Sequence, residues 1–162
     1  MVKILFREPA RSGGCQCGAV RYRIHGALGK AGICHCRMCQ KAFGNFGAAL
    51  VSTAADELQW TRGTATEFRS SAIVARGFCA VCGTPLYMRE DGDSNYEMAI
   101  GTLDDPNAVG AMAEQSGVES KLEWFDGLRD LPRQKTSDDR SVDDMRKLKS
   151  LQHPDEDTEH WP

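Results

Sequence analysis

A chain of 162 residues, 41% of them hydrophobic, is long enough for one domain with its own core and too short for two comfortable ones. Its net charge of −3 argues against a protein whose first partner is a phosphate backbone, so nucleic acid is not expected as a ligand. The apolar start is interrupted by Arg7 and Glu8, too soon for a secretory core or a membrane span, which points to a cytoplasmic protein with no membrane partner.

In chain order, residues 1–12 read as an N-terminal extension. Residues 19–24 then alternate apolar and basic side chains with period two, as a half-buried strand does. Similar short runs recur at 46–51, 57–61, 67–71, 85–88 and 96–100, with glycines such as Gly26, Gly63 and Gly92 between them. No stretch between Cys15 and Thr102 sustains a 3.6-residue apolar stripe. The body, residues 13–135, is therefore predicted to be mainly β, built of small antiparallel sheets. Such a domain has little core per residue, and bound metal is a standard remedy.

The composition shifts after residue 135. Residues 136–162 hold eight acids against four bases and form an acidic tail. Ser141 followed by Asp144, Met145, Leu148 and Leu151 predicts a short C-terminal helix with a capping serine. The rest of the tail is expected to be a flexible, solvated end, open to a protein partner.

Seven cysteines, an odd number, in a reducing compartment point to metal ligands rather than a disulfide framework. They fall into three groups: Cys15 and Cys17; Cys34, Cys36 and Cys39; Cys79 and Cys82. In an extended segment Cys15 and Cys17 face the same side and chelate one ion. Cys79-Ala-Val-Cys82-Gly83 has the spacing of a zinc knuckle, whose glycine lets backbone amides wrap the sulfurs. Joined, the two pairs give four sulfurs, a closed structural zinc site whose binding energy is folding energy.

Cys34, Cys36 and Cys39 then remain for a second zinc, making two per chain. Three thiolates leave one coordination position open, the usual pattern of a catalytic site. A closed site, with His35 or a remote His or carboxylate as fourth ligand, fits the same spacing. A redox pair at Cys36 and Cys39 lacks the surrounding βαβ pattern. His35, between two ligands, is expected to support them from behind or to face solvent, and Arg37 and Lys41 to offset the negative charge. His25, His153 and His160 read as satisfied or solvated, and Trp60 and Phe68 as core. Trp124 sits in a late, irregular segment able to cover a cleft.

Three stretches carry a family resemblance: Gly13-Gly-Cys-Gln-Cys-Gly-Ala-Val-Arg-Tyr22, Cys34-His-Cys-Arg-Met-Cys-Gln-Lys41 and Gly77-Phe-Cys-Ala-Val-Cys-Gly-Thr-Pro-Leu86. With Val118-Glu-Ser-Lys-Leu-Glu-Trp124, they resemble the glutathione-dependent formaldehyde-activating enzyme family, whose domain is shared with centromere-protein-V-like proteins. The resemblance implies small β-sheets joined by zinc, with Cys15, Cys17, Cys79 and Cys82 on a structural ion and Cys34, Cys36 and Cys39 on a catalytic one. It implies a carbon–sulfur lyase that forms or cleaves the adduct of glutathione and formaldehyde, S-hydroxymethylglutathione. This chain has Gln115 near a place where the family often has His. Arg21, Arg23, Arg69 and Arg76 offer charge for an anionic thiol. The alternative is a non-enzymatic zinc module that binds a protein partner.

Overall fold

A computed structural model describes residues 11–161; most of the expected N-terminal extension, residues 1–10, lies outside them. The body opens with β1 (Arg11–Gly14), β2 (Arg21–Ile24) and β3 (Ala31–Cys34), then helix α1 (Arg37–Phe43). Next come β4 (Ala48–Ala54), β5 (Leu58–Arg62), β6 (Thr66–Arg69) and β7 (Val74–Phe78). β8 (Pro85–Glu90), β9 (Asn95–Ala99), β10 (Glu114–Ser116) and a terminal helix α2 (Val142–Lys147) complete the order.

The strands form two sheets. One is three-stranded in the order β1-β2-β5, and the other is seven-stranded in the order β10-β3-β4-β9-β8-β7-β6. The mainly β expectation is met, with two refinements. The larger sheet is not small, and its β10–β3 edge pair is parallel while the other pairs are antiparallel.

Strand register sorts the large sheet into two faces. Val51 lies opposite Met98, and Met98 opposite Tyr87, so these three share one face. That face packs with Tyr22 and Ile24 of the small sheet into the main core, where Tyr22, Ile24, Val51 and Met98 are fully buried. The Tyr22 hydroxyl is satisfied there by Thr102 Oγ1 at 2.9 Å. The opposite face carries Cys34, Ala48, Leu50 and Met88, and α1 lies over it with Cys39 buried in a second, smaller core. Each cysteine group thus belongs to a different core.

Several elements went unpredicted for physical reasons. Val74, Ala75, Arg76 and Gly77 are all buried, so β7 shows no alternation to read. Helix α1 buries only Cys39 and Gln40, too few for a stripe. Phe68, expected in the core, is 63% exposed because β6 is the edge strand.

The tail behaves in two ways. Helix α2 forms as expected, with Ser141 Oγ accepting from Asp144 N at 3.1 Å. Its end is packed rather than free. His153 N donates to Gln16 O at 2.9 Å, Asp157 accepts from Arg21 and Arg23, and Arg62 donates to the Thr158 carbonyl. Arg21 is buried and also forms a two-pronged pair with Asp104, at 2.8 and 2.5 Å. No helix among the described residues is long and apolar enough to cross a membrane.

Candidate metal centres

The first centre is made by two turns from different sheets. Cys15, Cys17, Cys79 and Cys82 bring their sulfurs within 4.8 Å of one another. Cys15 and Cys17 occupy a tight turn between β1 and β2, closed by Gly18 N donating to Cys15 O at 3.0 Å, and not the extended segment expected. Cys79 and Cys82 occupy the turn between β7 and β8, closed by Gly83 N donating to Cys79 O at 2.8 Å. Both turns end on a glycine of positive φ, 74° at Gly18 and 76° at Gly83, a conformation that costs other residues free energy. Val20 N donates to Cys15 Sγ at 3.2 Å, and the Ala19 amide donates to Cys17.

Burial pushes the Cys17 thiol up to about 12, helped by sulfur contacts with Cys15, Cys82 and Cys79. Burial also acts upward on Cys82, but the Thr84 hydroxyl and amide and the Cys17 amide outweigh it and bring Cys82 down to about 6. Four crowded soft donors of this kind are relieved by a divalent ion that replaces their protons, and four sulfurs fit zinc.

The second centre is local. Cys34 ends β3, Cys36 caps the N-terminus of α1, and Cys39 lies in its first turn, where Cys39 N donates to Cys36 Sγ at 3.4 Å. Their sulfurs also lie within 4.8 Å of one another, and among the described residues no His, Asp, Glu or further Cys joins them. Burial pushes Cys39 up to about 12, with Cys34 and Cys36 adding to it and Arg76 opposing. On Cys34 burial acts upward, yet hydrogen bonds from Ser116, the Cys36 amide and the neighbouring thiols bring it down. The trio fits zinc through three sulfurs, with one position left for another ligand.

His35 is fully buried behind the trio and does not face solvent. Its Nε2 lies 3.0 Å from Gln115 Oε1, its ring packs edge-on against Phe125 at 4.6 Å, and its Nδ1 has no partner. Gln115 therefore has a defined place, holding the ring between two ligands. Gln40 ties α1 down by donating to the His35 and Ser120 carbonyls at 2.6 and 2.8 Å.

One cavity reaches the trio at Cys34, and another is linked to it through Arg76. One, about 410 Å³, includes Cys34 in its wall together with Glu90, Glu97 and Glu114. Burial, with Asp93 and Glu114 nearby, raises Glu97 above its usual carboxylate range. The other, about 440 Å³, lies between α1 and the β6–β7 edge and is walled by Arg37, Met38, Lys41, Phe68 and Arg76. Trp124 lines a third space with Leu122 and Phe46, against the outer side of α1.

The basic cluster expected at Arg21, Arg23, Arg69 and Arg76 does not assemble. Arg21 and Arg23 pair with Asp157, Arg69 pairs with Asp91, and only Arg76 reaches the trio, with Nη2 3.5 Å from Cys39 Sγ. The supporting roles of Ser116 and Gln40 had no sequence signal, because β10 meets β3 only through the fold. Of the histidines, His153 is buried and satisfied by Thr158 and Pro154, whereas His160 is exposed.

The profile of the glutathione-dependent formaldehyde-activating enzyme family matches residues 10–116, well over half the chain. No curated protein matches significantly. A crystal structure of a Rhodobacter sphaeroides protein shares the fold at a TM-score of 0.52 and 22% identity, covering 65% of this chain and 99% of that one. The chain belongs to the glutathione-dependent formaldehyde-activating enzyme family.

Proposed function

From that membership and the open three-sulfur cluster, we infer that the protein is a carbon–sulfur lyase that forms or cleaves the adduct of a small thiol, glutathione in the family's description, with formaldehyde. The observation that carries this reading is the set of three converging sulfurs with no fourth protein ligand among the described residues. In the forward direction a sulfur–carbon bond forms, the carbonyl π bond opens onto oxygen, and the thiol proton ends on the new hydroxyl.

A zinc ion held by Cys34, Cys36 and Cys39 would supply thiolate stabilisation and Lewis-acid polarisation. The chain's own residues do the rest. The turn from β3 into α1 fixes the three sulfurs on one side; His35 holds that turn against β10 and Gln40 holds it against the segment after β10. Arg76 offsets part of the thiolate charge at Cys39. The contribution to rate is chiefly the gathering and orientation of two small reactants. Cys15, Cys17, Cys79 and Cys82 would hold the second, structural zinc and take no part in the chemistry.

Exchange-detected NMR with ¹³C-formaldehyde and glutathione tests the reading, because adduct formation also proceeds without catalyst. The wild-type protein is expected to speed exchange above the buffer rate, and Cys36→Ser is expected to remain folded with one zinc and no acceleration. A folded Cys36→Ser protein with unchanged exchange would contradict it.

A further inference from the structure

The cavity between α1 and the β6–β7 edge gathers three cations, Arg37, Lys41 and Arg76. Arg21, Arg69 and Arg89 are matched by Asp104, Asp91 and Glu67. Among the described residues no carboxylate pairs with Arg37, Lys41 or Arg76; Arg37 meets only the neutral amide of Gln40. Arg76 is the informative member. It is 6% exposed, its Nε donates to Ser70 Oγ at 3.1 Å and its Nη2 to Cys39 Sγ, and its Nη1 has no partner. A buried guanidinium with a spare N–H is costly unless something completes it. The same residue touches the trio and walls the cavity, so it connects the two. Met38 and Phe68, both largely exposed, give the cavity apolar sides suited to a short carbon chain.

Polarity across the trio gives a direction. The cavity on the Cys34 side is lined by Glu90, Glu97 and Glu114, the last paired with Lys30, and so holds more acids than bases, whereas the α1 side holds Arg37, Lys41 and Arg76 and no acid. We propose that the cavity walled by Arg37, Lys41 and Arg76 binds the carboxylate end of the thiol substrate, so that the protein selects anionic thiols over neutral ones. The proposal rests on the trio being an open thiol site, and names the arm of the substrate that the fold reads. Arg37 and Lys41, exposed on α1, meet the carboxylate from the solvent side, and Arg76 meets it from within.

The test uses cobalt-substituted full-length protein, read by its thiolate charge-transfer and d–d bands. The probes are 2-mercaptoethanol, 3-mercaptopropionate and cysteamine, which are neutral, anionic and cationic. Half-saturation by 3-mercaptopropionate is expected at a concentration about tenfold lower than for 2-mercaptoethanol, since one charge-assisted contact is worth that much. Cysteamine should bind more weakly than either. In the Arg37→Gln/Lys41→Gln double variant the anionic-to-neutral ratio should fall towards one, with 2-mercaptoethanol as the internal reference for an intact site. Equal affinity for all three thiols in the wild type, or the full preference kept in the variant, overturns the proposal. Bands indifferent to every thiol overturn the open-site reading itself, and this inference with it.

Discussion

The two cysteine groups set one ligand type in two different surroundings. The four-sulfur group joins turns 62 residues apart, between β1 and β2 on one side and β7 and β8 on the other. It belongs to the main core, and the returning tail lies against it, with the His153 ring beside Gly18. The trio spans Cys34 to Cys39, closes no long loop, and has Cys34 in the wall of a cavity. An ion that ties distant segments contributes loop-closure entropy and holds sheets together, whereas one held by three residues within a short span contributes little to either. On the proposed function, chemistry falls to the group that ties the fewest segments together.

The sharpest way to break this comparison is to remove one ligand from each group. Cys79→Ser should abolish cooperative folding, seen as loss of near-ultraviolet dichroism and of zinc from the purified chain. Cys36→Ser should keep both the dichroism and one zinc. Equal damage from the two substitutions would erase the distinction.

The next largest effect tests the main core alone. Asp104→Ala leaves buried Arg21 with only its weaker contact to Asp157, and should cost about 3–5 kcal/mol in urea unfolding. Glutathione response at the trio should be unchanged in the protein that remains folded.

A smaller effect sharpens the other side. Gln115→Ala removes the partner of His35 Nε2 while Nδ1 is already alone, and should cost about 1–3 kcal/mol. Unlike Asp104→Ala, it should also shift the trio's cobalt bands, because His35 lies between Cys34 and Cys36.

The smallest belongs to the tail. Burial acts upward on Asp157, but hydrogen bonds from Arg23 and Arg21 outweigh it and hold its carboxyl below the ordinary value of 3.8. A lowered folded-state value stabilises above the unfolded one and is lost as pH falls through the folded one. Asp157→Asn should therefore cost about 1 kcal/mol or less at neutral pH. The gap between variant and wild type should close on acidification below the ordinary carboxylate range. A gap that widens there would mean the ion pair is not what docks the tail.

Much of this was legible in the sequence, and the parts that were not share a cause. Short alternating runs located β2, β5 and β9, and in β5 the burial itself alternates along the strand. It failed for β7, buried on both faces, and for β10, three exposed residues that pair only because β3 offers an edge. The four-sulfur group was readable because Cys-x-Cys-Gly and Cys-x-x-Cys-Gly are local, and the trio because Cys-x-Cys-x-x-Cys is. Arg76 was readable only as one of four scattered basic residues. Nothing local marks it as the one that strand pairing carries beneath Cys39, nor marks Asp157 as the partner of Arg21 across the chain.

Cobalt substitution with glutathione titration, on the wild type and Cys36→Ser together, tests the central claim most directly. Two metals per wild-type chain, one set of bands shifting with glutathione, and one indifferent metal in Cys36→Ser are the expected result. A single metal in the wild type, or two metals with neither responding to the thiol, would contradict the division between a closed centre and an open one.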